Sequence, residues 1–124
     1  MADFDAERVS RTVTGALTGP GGIALVINVF AGLPGVAHTA ARRGLFKSQP
    51  ARLQIGDWRY EVTRDHRLRA AHVVGGIAIA EEVLLADAVG PHLARSLGQI
   101  VARYGPAVIP NIDAAVDALS ASAG

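Results

Sequence analysis

The sequence contains no cysteine, and its charges are nearly balanced. The absence of cysteine excludes a disulfide framework, a thiolate metal site and a thiol nucleophile. The 12 basic and 11 acidic residues leave a formal net charge of +1, so no overall field attracts nucleic acid or an anionic membrane. We therefore expect no nucleic-acid partner, and any anion contact would need a local basic patch.

Disorder is excluded as well, because 50% of the 124 residues are apolar and only 19% are charged. This length falls within the usual size of one domain, and no linker or repeat divides the chain, so we predict a single domain over residues 1–124. The opening residues, Met-Ala-Asp-Phe-Asp-Ala-Glu, lack the basic and then apolar pattern of a secretory signal. We expect a cytoplasmic protein.

The clearest oddity is a stretch without a charged residue from Thr12 to Ala41. Glycine and proline interrupt it, so its longest apolar run, Ile23 to Leu33, has about 11 residues, whereas a membrane-spanning helix needs about 20. Periodicity does not separate a buried helix from a buried strand here, and we favour a short helix. We place this run in the core or at a subunit contact, with membrane-surface contact as the alternative. The basic cluster that follows, Arg42, Arg43 and Lys47, is either a solvated helix end or a contact for an anionic group.

Hydrophobic spacing predicts further helices near both ends of the chain. The first runs from Asp3, as N-cap, to Thr18. The segment from Val36 to Leu45 is compatible with a second. A helix with Pro91 in its first turn and Gly105 at its end comes later, and Asn111 is the predicted N-cap of a last, short helix.

The strongest local pattern is a β-hairpin from Arg52 to Val62. Gly56 and Asp57 form a two-residue turn, because glycine supplies the positive φ of a type II′ geometry. Four apolar side chains then share one face and pair two by two: Leu53 with Tyr60, and Ile55 with Trp58. Charged and polar residues pair on the other face, which supports the same register.

Two further strands are predicted after the hairpin. Leu68 to Val74 pairs back as a third strand, which aligns Arg69 with Glu61. Gly75-Gly76 is a turn or a bulge, and Ile77 to Leu85 is a fourth strand that passes into a helix near Glu81. The predicted fold is therefore α+β: an antiparallel meander of three or four strands, with N-terminal and C-terminal helices packed on one face.

No residue pattern identifies a chemical site. The segment from Gly19 to Ala24 fits a loosened dinucleotide-binding fingerprint, but a predicted helix precedes it where that motif needs a strand. The histidines are too dispersed for a helical metal motif: His38, His66, His72 and His92. Glu81 and Glu82 are interpreted as acids in the first turn of a helix. We assign no catalytic, cofactor-binding or metal-ligating residue and expect no cofactor.

Two segments carry a resemblance to a protein family. From His72 to Glu82 the sequence reads HVVGGIAIAEE, and from His92 to Gly105 it reads HLARSLGQIVARYG. This wording resembles short uncharacterised proteins of mycobacteria and related actinobacteria. Because the function of those proteins is unknown, the resemblance implies no catalytic residue for this chain.

Two apolar segments, Ile23 to Leu33 and Val73 to Leu85, add to the amphipathic helices and supply more apolar surface than one small sheet covers. This surplus favours a non-enzymatic binding or assembly protein that forms a homo-oligomer. One alternative is a carrier of an apolar small molecule or lipid, with Trp58, Tyr60 and His72 near the pocket mouth. The other is a small enzyme in which His72 acts as a base.

Overall fold

The computed structural model describes residues 4–19, 21–39, 42–43, 48–49 and 51–123. Within these residues lie four α-helices, a five-stranded antiparallel sheet and a two-stranded ribbon. The helices are α1 (Ala6–Thr18), α2 (Gly22–Phe30), α3 (Ala86–Tyr104) and α4 (Ile109–Ala123). The strands are β1 (Val36–Thr39), β2 (Arg42–Arg43), β3 (Ser48–Gln49), β4 (Arg52–Ile55), β5 (Trp58–Val62), β6 (Leu68–Val74) and β7 (Ile77–Leu84). The predicted α+β class is confirmed, with five strands in the main sheet rather than three or four.

The first helix, α1, begins later than its sequence pattern predicts. The side chain of Asp5 caps it by accepting a hydrogen bond from the Arg8 amide at 3.0 Å, so the prediction of Asp3 as N-cap is wrong. Thr18 ends the helix as predicted, because Gly19 is extended and cannot continue it. The buried side chains of α1 recur at helical spacing: Val9, Val13 and Ala16.

The longest apolar run of the sequence forms α2, as predicted. Its inward side chains are buried in the core: Val26, Ile27 and Phe30. At about 1.5 Å per residue, this helix rises less than half of the roughly 30 Å hydrocarbon thickness of a bilayer. None of the described helices is long and apolar enough to cross a membrane.

The segment that follows Gly35 is a strand, so the prediction of a helix from Val36 to Leu45 is wrong. β1 pairs antiparallel with β4 and places Val36 opposite Ile55. Gly35 adopts a φ of +79° immediately before the strand. Pairing with β4 stabilises this strand. Because β4 lies further along the chain, the hydrophobic pattern of residues 36–45 alone does not reveal the pairing. Of the predicted basic cluster, Lys47 lies outside the described residues, and Arg42 and Arg43 are described only as strand β2, without their side chains.

The hairpin of β4 and β5 has the predicted register. Ile55 lies opposite Trp58 and Leu53 lies opposite Tyr60. The turn between the strands begins at Gly56, whose φ of +59° is the conformation that favours glycine. Three of the four paired apolar side chains are buried, and that of Trp58 is half-buried.

The opposite face of the hairpin carries the predicted charged row. Glu61 aligns with Arg52 on one side and Arg69 on the other. The Glu61 carboxylate pairs with Arg52 at 2.6 Å and with Arg59 at 3.7 Å. Arg59 also approaches Glu81 of β7 at 3.9 Å. Opposite charges on one face therefore support the register that the apolar face requires.

The last strand, β7, lies at one edge of the sheet, whose strand order is β1-β4-β5-β6-β7. Gly75 and Gly76 form the turn before it, with φ values of +59° and +81° that favour glycine. The strand continues to Leu84, so the predicted passage into a helix near Glu81 is wrong, and Glu81 and Glu82 are strand residues. Pairing with β6 decides this outcome, and it continues on both sides of a bulge that leaves Ile79 without a partner in β6.

Two helix starts also differ from their predictions. Ala86 begins α3 directly after the sheet, so Pro91 lies in the second turn rather than the first. Ile109 begins α4, so Asn111 lies inside that helix and is not its N-cap. Gly105 ends α3 as predicted, with a φ of +86°.

Helix α1 contacts both C-terminal helices. Gly90 of α3 lies so close to α1 that a Cβ atom there would stand 2.5 Å from the Ser10 carbonyl oxygen. Arg8 pairs with Asp113 at 3.6 Å and also with Asp117, and these ion pairs join α1 to α4.

Buried apolar side chains from the helices and the sheet form one continuous core. Its largest fully buried members are Tyr60, Phe30, Ile27, Leu53, Ile55, Leu68, Leu93, Leu97 and Leu119. Three side chains of α4 belong to this core: Ile112, Val116 and Leu119.

Candidate functional site

Three polar side chains meet inside the protein where α3 contacts β5. Tyr60 belongs to β5, and His92 and Ser96 lie about one helical turn apart on α3. The Tyr60 hydroxyl lies 2.7 Å from Nδ1 of His92 and also forms a short hydrogen bond with Oγ of Ser96. All three side chains are buried. We call Tyr60, His92 and Ser96 the buried polar cluster.

Two arrangements of protons satisfy both hydrogen bonds of the cluster. In one, Ser96 donates to the Tyr60 oxygen and Tyr60 donates to Nδ1 of His92, whose proton is on Nε2. In the other, Nδ1 of His92 donates to the Tyr60 oxygen and Tyr60 donates to Ser96. Burial, followed by repulsion from the Arg95 guanidinium, lowers the pKa of His92, so the neutral imidazole is favoured, with one ring nitrogen as donor and the other as acceptor. Burial also raises the pKa of Tyr60 far above its ordinary value, so the phenol keeps its proton.

Two aromatic rings extend the cluster towards the surface of the hairpin. Trp58 meets His92 edge to face with ring centroids 4.4 Å apart. Trp58 also stacks on His72 at 4.9 Å, in the position opposite it that the register predicted. Both Trp58 and His72 are half-buried, so Trp58 links the buried His92 ring to a ring at the surface.

The buried polar cluster has the residue types of acid–base catalysis without access for a substrate. Tyr60 is fully enclosed and Ser96 is 1% exposed, so neither hydroxyl reaches a reacting group unless α3 moves. Both shifted pKa values hold a side chain in its neutral form. The geometry therefore supports a structural role, in which three side chains satisfy one another and fix α3 against β5.

The other predicted histidines and carboxylates are dispersed over the structure. His38 is exposed on β1, and His66 is exposed in the turn between β5 and β6. Glu81 and Glu82 are exposed neighbours on β7, so they project to opposite sides of the sheet. Within the described part of the chain, no three side chains of the metal-ligating types come together.

Exposed apolar side chains concentrate on the β6–β7 hairpin and on the residue after it. Five large ones are between 45% and 69% exposed: Val74, Ile77, Ile79, Val83 and Leu85. We call these five residues the β7 edge patch. No other described strand pairs with the outer side of β7. The apolar surplus of the sequence is thus located here, whereas the run that forms α2 contributes to the core.

A pocket of about 250 Å³ opens where the first turn of α3 meets the ends of four other elements. Its apolar walls come from α1, α2, β6, β7 and α3 in that order: Leu17, Ile23, Leu68, Leu84 and Val89. His66 and Arg67 form its polar rim. The residues predicted near a pocket mouth do not line this pocket: Trp58, Tyr60 and His72.

The sequence holds a signal for the buried polar cluster that the spacing of histidines does not reveal. His92 and Ser96 are four residues apart, and Leu93 and Leu97 repeat that spacing beside them. All four therefore lie on one side of a helix. Polar residues on an apolar helix side need a buried partner, and Tyr60 is the inward-facing hydroxyl of the predicted hairpin.

A family model described as a domain of unknown function, DUF5073, matches residues 1–121. No curated protein and no solved structure has significant similarity to the chain. The predicted resemblance to proteins of unknown function is confirmed to this extent, and none of these comparisons names an activity. The chain belongs to the DUF5073 family of domains of unknown function.

Proposed function

We propose that the protein is a non-enzymatic assembly module that forms a homodimer through the outer edge of β7. One observation carries the proposal: an edge strand of eight residues exposes Ile77 by 69% and Ile79 by 61%. An edge strand presents unpaired backbone N–H and C=O groups, which another strand can satisfy. Apolar clusters of this kind on a surface mark interaction sites.

The chemistry of the edge favours a protein partner over a membrane. Lipid chains would cover the apolar side chains but could not pair with the backbone groups of the strand. The segment from His72 to Glu82 contains no lysine or arginine that would attract anionic headgroups. A second strand supplies both the hydrogen bonds and the apolar contacts.

A second copy of this chain fits the edge in an antiparallel arrangement. Pairing centred on Ala78 places Ile77 of each copy opposite Ile79 of the other. Because β7 begins at Ile77, this pairing joins residues 77–79 of the two strands. The two Glu81 carboxylates then lie beyond its opposite ends, about 20 Å apart at roughly 3.3 Å per residue. This separation exceeds the screening length of about 8 Å at physiological salt, so like charges do not oppose the contact. The two-fold symmetry makes the contact self-complementary.

The test is the oligomeric state of the purified chain across micromolar concentrations, measured by sedimentation velocity and light scattering. We expect a dimer for the wild type and a monomer for Ile79→Lys, because a lysine on the edge opposes strand pairing. Ala37→Lys is the matched control, since it adds the same charge to an exposed position of β1 at the other edge of the sheet. It should remain dimeric.

A wild-type chain that is monomeric throughout this range would overturn the proposal. A dimer that Ile79→Lys leaves intact, with thermal unfolding unchanged, would place the contact elsewhere and overturn it as well. Binding of the monomer to phosphatidylserine vesicles with loss of binding in Ile79→Lys would assign the patch to a membrane surface instead.

Several finer expectations stay predictions. A single calorimetric transition would support one domain over residues 1–124. Packing of the N-terminal and C-terminal helices on one sheet face is supported for α3 by its hydrogen bonds to Tyr60. A cytoplasmic location agrees with the absence of cysteine and is tested by cell fractionation. An actinobacterial distribution rests on the resemblance of residues 72–82 and 92–105.

A further inference from the structure

The pocket at the start of α3 is built as an apolar cleft with one polar side. Leu68 and Leu84, its walls from the sheet, are buried, as is Val89 from α3. Leu17 and Ile23 close it from the N-terminal helices and are half-buried. An apolar cleft with few polar groups at one side is the usual form of a small-molecule site.

The polar rim carries a cation on a fixed backbone. The Thr63 amide donates to the Arg67 carbonyl at 2.8 Å, and the Arg67 amide donates to Oγ1 of Thr63 at 3.0 Å. These bonds hold the turn that presents Arg67 to the pocket. A carboxylate oxygen of Asp65 forms an ion pair with Nε of Arg67 at 3.3 Å, and the terminal guanidinium nitrogens are available to a second anion.

We propose that this pocket binds a single-chain carboxylate of medium length, with the alkyl chain among the leucines and the carboxylate at Arg67. The volume of about 250 Å³ sets the size of the ligand. At roughly 30 Å³ per small non-hydrogen group, the pocket accommodates about eight of them. One alkyl chain of that length matches the apolar walls, and one negative charge complements the rim.

The test uses octanoate as the probe, with butanoate, hexanoate and decanoate as a length series, in NMR titrations of the full chain. We expect the methyl signals of Leu17, Ile23 and Val89 to shift on binding. The affinity should rise about fourfold for each added methylene up to octanoate, because each newly buried group contributes a similar free energy. It should level off for decanoate, whose end extends beyond the pocket.

The contribution of the rim is tested by comparing octanoate with octan-1-ol. We expect octanoate to bind about threefold to fivefold more tightly, as suits an ion pair at an exposed rim. Arg67→Gln should abolish this preference and leave the affinity for octan-1-ol unchanged. Arg64→Gln is the matched control, because it removes the same charge from the same turn at a residue that does not line the pocket.

Two results would overturn the proposal. One is an octanoate titration that shifts none of the pocket methyl signals at millimolar concentration. The other is a preference for octanoate over octan-1-ol that Arg67→Gln retains. Leu85 belongs both to the β7 edge patch and to the pocket lining, but Ile79 does not line the pocket. The homodimer is therefore tested independently, since Ile79→Lys should bind octanoate with wild-type affinity.

Discussion

Tyr60→Phe removes a single oxygen atom from the buried polar cluster and leaves both of its partners without their hydrogen bond. The loss of one such bond costs about 1 kcal/mol, and a buried donor or acceptor left unpaired adds about 1–3 kcal/mol. Ser96 can redirect its hydroxyl to a carbonyl of its own helix, so the atom left unpaired is Nδ1 of His92. Because His92 is 8% exposed, water relieves part of this penalty. We expect a net destabilisation of about 2 kcal/mol.

The assay is urea denaturation of the wild type and the variant under identical conditions. Tyr104→Phe is the matched control, because it removes the same atom from a side chain that is 57% exposed, and it should change stability by less than about 0.5 kcal/mol. A double-mutant cycle with Ser96→Ala then measures the coupling within the cluster, which we expect to be about 1 kcal/mol.

Equal stabilities of Tyr60→Phe and Tyr104→Phe would refute the reasoning. The phenol would then contribute no more inside the core than at the surface, and the hydrogen bonds to His92 and Ser96 would have no net effect. A coupling energy near zero between Tyr60 and Ser96 would refute the cluster while leaving apolar packing as the origin of any destabilisation.

Because the pKa of His92 is lowered in the folded protein, protonation of this side chain favours the unfolded state. We expect full stability above the ordinary histidine pKa of about 6.5 and a loss of stability as the pH falls below that value. Unfolding measured from pH 7.5 to 5 should lose this dependence in His92→Asn and keep it in His66→Asn. Gly90→Ala should destabilise the fold by about 1–3 kcal/mol, because the new methyl group collides with a carbonyl oxygen of α1. Gly98→Ala should instead stabilise the fold by up to about 1 kcal/mol, because alanine has the higher helix propensity. The new methyl group there makes only an ordinary 3.5 Å contact with Phe4.

Each of these expectations has a contrary outcome. A pH dependence that persists in His92→Asn would mean that another group takes up the proton on unfolding. Equal effects of Gly90→Ala and Gly98→Ala would mean that α1 and α3 do not approach as closely as the structure has them.

Features with nearby partners could be predicted from the sequence. The hairpin register follows from apolar alternation, charge pairing and the Gly56 turn, all within residues 52–62, and it is confirmed. The secondary structure at Val36 and at Glu81 was predicted wrongly. Both lie in segments whose local composition is compatible with a helix, and both are strand residues because a neighbouring strand offers continuous hydrogen bonds. Local propensity differences are small beside such pairing.

The candidate sites divide in the same way. His72 opposite Trp58 followed from register alone. The contact of Tyr60 with His92 did not, because 32 residues separate them and only the packing of α3 brings them together. The pocket was equally hidden, since it is built from five elements and its predicted mouth residues lie elsewhere.

The sequence by itself determined that this is a cysteine-free α+β protein with surplus apolar surface, because composition and short-range periodicity limit which elements form and how much of them must be buried. Only the tertiary structure decided where the surplus lies. The apolar run that begins at Ile23 packs into the core as α2, whereas β7 lies at the sheet edge with Ile77 and Ile79 exposed. The physical reason is that burial depends on which elements become neighbours, and strand order is a property of the whole chain.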